Sequence, residues 1–173
     1  MKKNLVLTGM MGVGKSTIGE KLSKKLGLEF IDIDRVIEKV EKNTIKEIFK
    51  NKGEKYFRKI EKKITLEILK NDKLIIALGG GGFINDSIRK EVKNSSLSFW
   101  LDVNIKSLMP RLRNVKKRPL LNENNLEQTI YRIYLNRKKI YNQAHFRIKC
   151  NSMNKREIVN KIINLYENSR TKV

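Results

Sequence analysis

The segment GMMGVGKST, residues 9–17, constrains the fold of this chain more than any other part of the sequence. It matches the spacing GxxxxGK[ST] and lies between an apolar run, residues 4–8, and an amphipathic segment, residues 15–26. In that context the glycines let backbone N–H groups surround a phosphate, and the helix N-terminus adds a partial positive charge. The motif therefore predicts a phosphate site at the junction of a β-strand and a helix.

Short apolar runs alternate with helical patterns along the chain, which is typical of a parallel sheet built from β/α units. We predict five strands, over residues 4–8, 29–31, 74–78, 97–101 and 145–149. Helices are predicted over residues 15–26, after a capping box at Thr44 and Glu47, after Gly53, and over residues 87–92, 105–112, 126–141 and 156–166. Two helices between the second and third strands indicate an extra helical piece over the sheet edge.

The composition narrows the class of protein. A chain of 173 residues with 39% apolar and 33% charged residues can bury a core as one domain, residues 1–173. Its apolar runs are shorter than the roughly 20 residues of a membrane helix. The single Cys150 permits no internal disulfide, which agrees with a reducing compartment. We expect a cytoplasmic monomer with no membrane partner.

The net charge of +21 leaves two interpretations open. Clustered Lys and Arg would bind nucleic acid, and a nucleic-acid-binding protein should carry one continuous basic face. The lysines are instead spread over nearly every amphipathic segment. We therefore expect a positive field that attracts small anionic substrates, with no nucleic-acid partner.

Asp32 and Asp34 follow the second predicted strand. Residues two apart on an extended segment point the same way, so both carboxylates should face the carboxyl edge of the sheet, where ligands bind. One carboxylate could support a Mg²⁺ shell, and the other could accept a proton from a substrate hydroxyl. Capping of the next helix is the alternative role for either residue.

Two helical pairs are candidates for recognition of an anionic acceptor. Arg58 and Glu61 are three apart, so Glu61 could hold the guanidinium in the orientation that carboxylate recognition needs. An ordinary solvated pair is the alternative. Arg137 lies one turn before Tyr141 and could project toward the same cleft.

The polar, basic segment 113–125 is the best candidate for a mobile loop. Arg118 within it could stabilise charge on a transferred phosphoryl group as a lid closes. Arg111, just ahead of the loop, could flank a nucleotide base.

Four consecutive glycines, residues 79–82, follow the third strand. Glycine loses more backbone entropy on folding than other residues, so such a run needs positive φ or close approach as its reason. We predict close approach to a ligand, with backbone N–H groups as donors.

Three other residues are expected to be structural: His145 at a strand start, Cys150 as a half-buried strand residue, and Trp100 in the core.

Taken together and in order, the segments GMMGVGKST, FIDID, FRKIE, ALGGGG and KRPLL and the pair Arg137 and Tyr141 resemble the shikimate kinase family. The resemblance covers nearly the whole chain. It implies a three-layer αβα P-loop kinase fold with a five-stranded parallel sheet in order 2-3-1-4-5, a helical substrate-binding region at about 33–61 and a lid at about 112–125. It also implies MgATP-dependent phosphorylation of the 3-hydroxyl of shikimate, a step of chorismate and aromatic amino-acid biosynthesis.

The resemblance also implies roles for individual residues. Those implied to bind ATP are Gly12, Val13, Gly14, Lys15, Ser16, Thr17, Arg111 and Arg118. One Mg²⁺ ion per subunit would be held by Ser16 and Asp32. Those implied to bind shikimate are Asp34, Phe49, Phe57, Arg58, Gly79, Gly80, Gly81 and Arg137, with the arginines clamping the carboxylate. Catalysis would rest on Asp34, Lys15 and Arg118.

Two points remain open beside this resemblance. A gluconate-type kinase also needs a carboxylate clamp, although the glycine run with Arg58 and Arg137 favours shikimate. The proline that the family often carries near Asn154 is absent, so base contacts by residues 151–153 are undecided.

Gly82 stands where the family commonly tolerates a small side chain, so Gly82→Ala should be mild whereas Gly80→Ala should cost activity.

Overall fold

Five parallel strands form one sheet in the order β2-β3-β1-β4-β5. The computed structural model describes residues 4–113 and 126–170. Its strands are β1 Asn4–Thr8, β2 Glu29–Asp32, β3 Leu74–Ala77, β4 Ser96–Asp102 and β5 Phe146–Lys149. The predicted strands and strand order are confirmed, and no strand end differs from its prediction by more than one residue.

Helices cover both faces of the sheet in the described parts of the chain. They are α1 Lys15–Leu26, α2 Ile33–Glu41, α3 Ile45–Ile68, α4 Asp86–Ser95, α5 Ile105–Arg113, α6 Leu126–Tyr141 and α7 Lys155–Arg170. Helix α1 packs on α7, and α3 packs on α4. Parallel strands joined by right-handed crossovers place α1 opposite α3 and α4, because the chain moves in opposite directions along the sheet in these connections. The result is the predicted three-layer αβα fold.

Burial follows the position of each strand in the sheet. Every residue of β1, β3 and β4 is buried, whereas β2 and β5 at the edges are partly exposed. Inner strands have neighbours on both sides and helices above and below, which explains their almost continuous apolar sequence. Trp100 on β4 is only 1% exposed, which confirms its predicted place in the core.

A buried serine of β4 and a partly buried histidine each accept a hydrogen bond from the other's backbone. The backbone N–H of Ser98 in β4 donates to Nδ1 of His145 at 3.2 Å, and the backbone N–H of His145 donates to Oγ of Ser98 at 3.0 Å. His145 directly precedes β5, so its predicted structural role is confirmed. The prediction for Cys150 was wrong in detail, because this residue is buried and follows β5 instead of lying half-buried within it.

In the helical region between β2 and β3, a capping box begins α3 and a glycine interrupts it. Thr44 and Glu47 form the predicted capping box at the start of α3. Gly53 then interrupts α3 with φ 78° and ψ 170°, a conformation that few other residues adopt. The region therefore consists of α2 and a two-part α3. The two parts of α3 confirm the two helices predicted between the second and third strands, whereas α2 was not among the predicted helices.

A stability test follows from Gly19 on α1. A methyl group at this position would overlap the ring of Phe30 on β2. Alanine favours a helix interior over glycine by about 1 kcal/mol, but overpacking costs about 1–3 kcal/mol. We therefore expect Gly19→Ala to lower the free energy of unfolding in urea by about 1 kcal/mol.

The control for Gly19→Ala is the same substitution in a Phe30→Ala background. Without the ring, helix propensity alone remains, so Gly19→Ala should then stabilise the protein. Stabilisation in both backgrounds would show that Phe30 does not limit this position.

Candidate active site

A cavity of about 190 Å³ lies where three separate chain segments meet. We call residues 9–17 the phosphate loop and residues 79–82 the glycine loop. The cavity is lined by Met11, Gly12, Gly14, Lys15, Ser16 and Thr17 of the phosphate loop, by Asp32 and Asp34, and by Leu78 and Gly80. The structure thus brings together two of the predicted carboxylates, the predicted phosphate site and the start of the glycine run.

The phosphate loop has the backbone that its glycines predict. Gly12 and Gly14 have φ values of 78° and 95°, in the left-handed region that favours glycine. Gly14 caps the N-terminus of α1. The ammonium of Lys15 donates to the carbonyls of Gly9 at 2.9 Å and Met10 at 3.0 Å, which places this charge inside the loop. A helix N-terminus with a cation beside it is an anion site.

Asp32 performs two tasks. Its Oδ2 accepts a hydrogen bond from the Ser16 hydroxyl at 2.5 Å, and its Oδ1 accepts from the backbone N–H of Asp34 at 3.1 Å. Asp32 is therefore the N-cap of α2 and also a partner of the phosphate loop. Of the two alternatives that the sequence left open, the helix cap is confirmed and uses Oδ1, while support of a Mg²⁺ shell stays a prediction.

The geometry predicted for Asp34 was wrong although its location was right. Strand β2 ends at Asp32, and Asp34 lies in the first turn of α2. The two residues therefore do not share an extended segment. Both nevertheless line the cavity, because α2 begins at the carboxyl edge of the sheet.

A second cavity of about 560 Å³ adjoins the first and shares Gly14 and Thr17 with it. Arg111 lines it together with Met153 and Asn154, and its contact with a nucleotide base stays a prediction. Asn151 does not line it, and its Oδ1 accepts a hydrogen bond from the backbone N–H of Asn104 at 2.8 Å.

Cys150 also lines this second cavity. Burial raises the pKa of its thiol to about 11, so the group stays protonated and weakly nucleophilic at neutral pH. It contributes an apolar surface to the cavity.

The glycine loop is explained by close approach, and none of its four residues has a left-handed φ. A Cβ at Gly79 would lie 2.6 Å from Oδ1 of Asp34, and one at Gly81 would lie 2.5 Å from Nη1 of Arg58. A Cβ at Gly80 would lie 3.2 Å from the backbone N of Met11. At Gly82 the nearest atom would be 3.4 Å away, an ordinary contact distance. The crowding therefore separates the first three glycines from the fourth.

Arg58 is held by a buried carboxylate. Its Nη1 donates to Oε2 of Glu61 at 2.7 Å, and the Glu61 side chain is only 2% exposed. Burial raises the pKa of Glu61, and the charge of Arg58 opposes that rise. An ordinary solvated pair is therefore the wrong description of Glu61, which lies inside the protein and fixes one side of the guanidinium.

Arg137 approaches the glycine loop from α6. Its Nη1 donates to the carbonyl of Gly80 at 2.8 Å, and the hydroxyl of Tyr141 donates to the same oxygen at 2.5 Å. Two arginines from distant helices thus contact neighbouring glycines. The spacing of Arg137 and Tyr141 predicted a shared direction, but it gave no sign that Tyr141 would contact the loop.

Phe49 and Phe57 form an aromatic pair beside Arg58. Their ring centroids are 4.7 Å apart, and Cζ of Arg58 lies 5.1 Å from the Phe57 ring centroid. Arg118 and nearly all of the predicted lid at 112–125 lie outside the described residues.

Comparison with known proteins agrees with this arrangement. The sequence pattern of the family described as "Shikimate kinase" matches residues 11–167. The chain belongs to the shikimate kinase family. It is 41% identical over 162 residues to the shikimate kinase of Persephonella marina, covering 93% of this chain and 97% of that protein.

Solved structures extend the comparison. The shikimate kinase from Acinetobacter baumannii in complex with shikimate superposes with a TM-score of 0.93 at 33% identity, over 98% of this chain and 96% of that one. A gluconokinase from Sinorhizobium meliloti has a TM-score of 0.59 at 15% identity, over 99% and 97% of the two chains, and shares the fold alone.

The crowding in the glycine loop generates a graded prediction for kinase activity. A methyl group at Gly79 or Gly81 would displace the side-chain end of Asp34 or Arg58, both proposed to bind the acceptor. Overpacking of this kind costs about 1–3 kcal/mol, or about ten- to a hundredfold in rate. We expect Gly79→Ala and Gly81→Ala to lower kcat/KM by about a hundredfold and Gly80→Ala by about tenfold. Gly82→Ala should stay within about threefold of wild type. Equal losses at all four positions, measured as ADP release, would contradict this explanation.

Proposed function

We propose that this protein transfers the γ-phosphoryl group of ATP to the 3-hydroxyl of shikimate, giving shikimate 3-phosphate and ADP. The observation that carries the proposal is the single cavity shared by the phosphate loop, Asp34 and the glycine loop, with two arginines behind the glycines. The bond between the γ-phosphorus and the bridging oxygen breaks as the bond to the acceptor oxygen forms. The hydroxyl proton passes to the carboxylate of Asp34.

On the donor side, the phosphate loop and Lys15 would bind the β- and γ-phosphates, with Val13, Thr17 and Arg111 along the nucleotide. Ser16 and Asp32 present adjacent hydroxyl and carboxylate oxygens, a set that suits Mg²⁺. In the described residues no three His, Cys, Asp or Glu side chains cluster as a metal site, so phosphate and water would complete the shell. When bound, Mg²⁺ neutralises charge that develops on the phosphates.

On the acceptor side, Asp34 would orient the reacting hydroxyl and accept its proton. Its Oδ1 lies against Gly79, so hydroxyl, carboxylate and phosphate loop share one small space. Gly79, Gly80 and Gly81 would let the ring and the γ-phosphate approach the backbone. Phe49 and Phe57 would wall the pocket.

Arg58 and Arg137 would clamp the shikimate carboxylate. Arg58 donates from Nη1 to Glu61 and from Nε and Nη2 to Glu54, which leaves one N–H on each terminal nitrogen. Arg137 donates from Nη1 to the carbonyl of Gly80 and also retains further N–H donors. Planar forks recognise a carboxylate with two parallel hydrogen bonds, which a lysine cannot supply. The charge of each arginine is thus held in place before the acceptor arrives.

The remaining parts of the proposal concern the whole chain. We propose a cytoplasmic monomer of one domain, residues 1–173, with its substrate-binding region at about 33–61 and a lid at about 112–125. Arg118 of that lid would act on the transferred group. Within residues 4–113 and 126–170, no helix is both long and apolar enough to cross a bilayer.

A substrate panel tests the proposal. With Mg²⁺ and ATP, shikimate should support ADP release, whereas gluconate and nucleoside monophosphates should not. Asp34→Asn and Lys15→Met should each lower kcat by more than about a hundredfold, because they remove groups that meet the transferred phosphoryl or the acceptor. Turnover of gluconate without shikimate turnover would refute the assignment.

Two exposed residues serve as matched controls for that panel. Asp72→Asn and Lys90→Met make the same chemical changes on the protein surface and should leave kcat within about twofold of wild type. Losses in the control variants equal to those of Asp34→Asn and Lys15→Met would point to charge in general and not to the site.

The carboxylate clamp has its own test. Arg58→Lys and Arg137→Lys keep the charge but remove the planar fork, so the dissociation constant of shikimate should rise about ten- to a hundredfold. The methyl ester of shikimate lacks the carboxylate charge, and its dissociation constant should change less than about threefold in the same variants. Calorimetry on both ligands measures the difference. Equal changes for acid and ester would place the arginines outside the carboxylate site.

A further inference from the structure

Tyr141 ends α6 with its hydroxyl between the phosphate loop and the glycine loop. The residue is fully buried, and its hydroxyl lies 2.5 Å from the carbonyl oxygen of Gly80 and 4.0 Å from Sδ of Met10. Its ring packs against Trp100 of β4, with ring centroids 6.1 Å apart. Trp100 pairs with Thr8, the last residue of β1 before the phosphate loop. The Tyr141 side chain is therefore anchored to the same part of the sheet from which the phosphate loop leaves.

The carbonyl of Gly80 accepts two hydrogen bonds, from Tyr141 and from Nη1 of Arg137. A carbonyl oxygen has two lone pairs, so both are used. The peptide that joins Gly80 and Gly81 is trans and planar, so the N–H of Gly81 points away from Tyr141 and Arg137. The hydrogen bonds that hold the Gly80 carbonyl therefore also set the direction of the Gly81 N–H.

This peptide also lies close to the donor side of the cavity. A Cβ on Gly80 would be 3.2 Å from the backbone N of Met11, and both residues line the cavity of about 190 Å³. A small rotation of the peptide would change both the width of the cavity and the direction of its N–H donor. Geometry of this kind decides whether reacting atoms meet in line.

We propose that Tyr141 is a positioning residue for phosphoryl transfer, whose hydroxyl holds the Gly80 carbonyl so that the glycine loop presents the acceptor to the phosphate loop. The inference rests on the proposed function and deepens it. Arg137 would also bind the acceptor carboxylate, whereas the Tyr141 hydroxyl belongs to a fully buried ring and donates to the Gly80 carbonyl before any acceptor binds. The Tyr141 hydroxyl is buried, and burial raises its pKa, so it remains a protonated donor at neutral pH.

The test removes one oxygen atom. In Tyr141→Phe, we expect kcat/KM for shikimate to fall about tenfold, because a buried carbonyl loses one of two donors. The KM for ATP should stay within about twofold of wild type, since the phosphate loop keeps its own contacts. Replacing Tyr141 with p-aminophenylalanine restores an N–H donor of similar shape and should bring kcat/KM back to within about threefold.

A matched control separates positioning from stability. Tyr166→Phe removes a tyrosine hydroxyl from another buried ring, on α7, which packs on α1. It should leave kcat/KM within about twofold of wild type even if it lowers the melting temperature. Unchanged kcat/KM in Tyr141→Phe, a parallel rise in the KM for ATP, or no rescue by p-aminophenylalanine would each overturn the inference.

Failure of the inference can be distinguished from failure of the proposed function. The wild-type protein tests the function through its turnover of shikimate, whereas the ratio of Tyr141→Phe to wild type tests the positioning role. If wild type prefers another acceptor, the same ratio is measured with that acceptor. If Tyr141→Phe does not fold, the p-aminophenylalanine variant decides, and a tenfold loss there would overturn the donor role.

Discussion

The geometry of the site depends on the register of three parallel strands, because that register sets where each strand ends at the carboxyl edge of the sheet. Leu7 of β1 and Asp32 of β2 both pair with Ala77, so β1, β2 and β3 leave the sheet within about one residue of each other. The segments that follow are the phosphate loop, the first turn of α2 and the glycine loop. Each is short and begins at the same edge, so the phosphate loop, the two carboxylates and the glycine backbone line one cavity. A register shift in β3 would move the glycine loop away from Met11, since residues in a strand are about 3.3 Å apart.

The parts of the fold and site that local chemistry decides could be predicted from the sequence. The phosphate loop, the strands and the capping box of α3 depend on neighbours within a few residues, and their predictions are confirmed. The predicted relation of Asp32 to Asp34 was wrong because α2 begins at Ile33, directly after β2, so Asp34 lies in a helical turn and not in an extended segment. The contact of Tyr141 with Gly80 spans 61 positions and has no periodic signal. It follows only from the packing of α6 beside the sheet.

The glycine loop shows why composition alone is ambiguous. A run of glycines is consistent with a linker, with turns of positive φ, or with a crowded backbone, and these make different demands on the chain. The structure selects crowding, because Asp34, Met11 and Arg58 occupy the places where side chains at positions 79–81 would stand. Each of these neighbours is itself a proposed participant in the reaction. The glycines are therefore explained by their close contact with groups that are proposed to take part in the reaction, and not by the backbone conformation of the loop.

The ion pair of Arg58 and Glu61 likewise contributes more to the geometry of the site than to the stability of the fold. Oε2 of Glu61 bonds to Arg58, while the buried Oε1 has no hydrogen-bond partner among the described residues. Buried ion pairs commonly contribute less to stability than apolar residues of the same volume, because desolvation offsets their attraction. An unpartnered oxygen makes the balance worse by about 1–3 kcal/mol. Stability alone therefore does not explain Glu61. Its effect on Arg58 does, since Glu61 holds Nη1 while Glu54 accepts from Nε and Nη2. A guanidinium fixed in one orientation loses less entropy when an anionic acceptor binds to its remaining N–H groups.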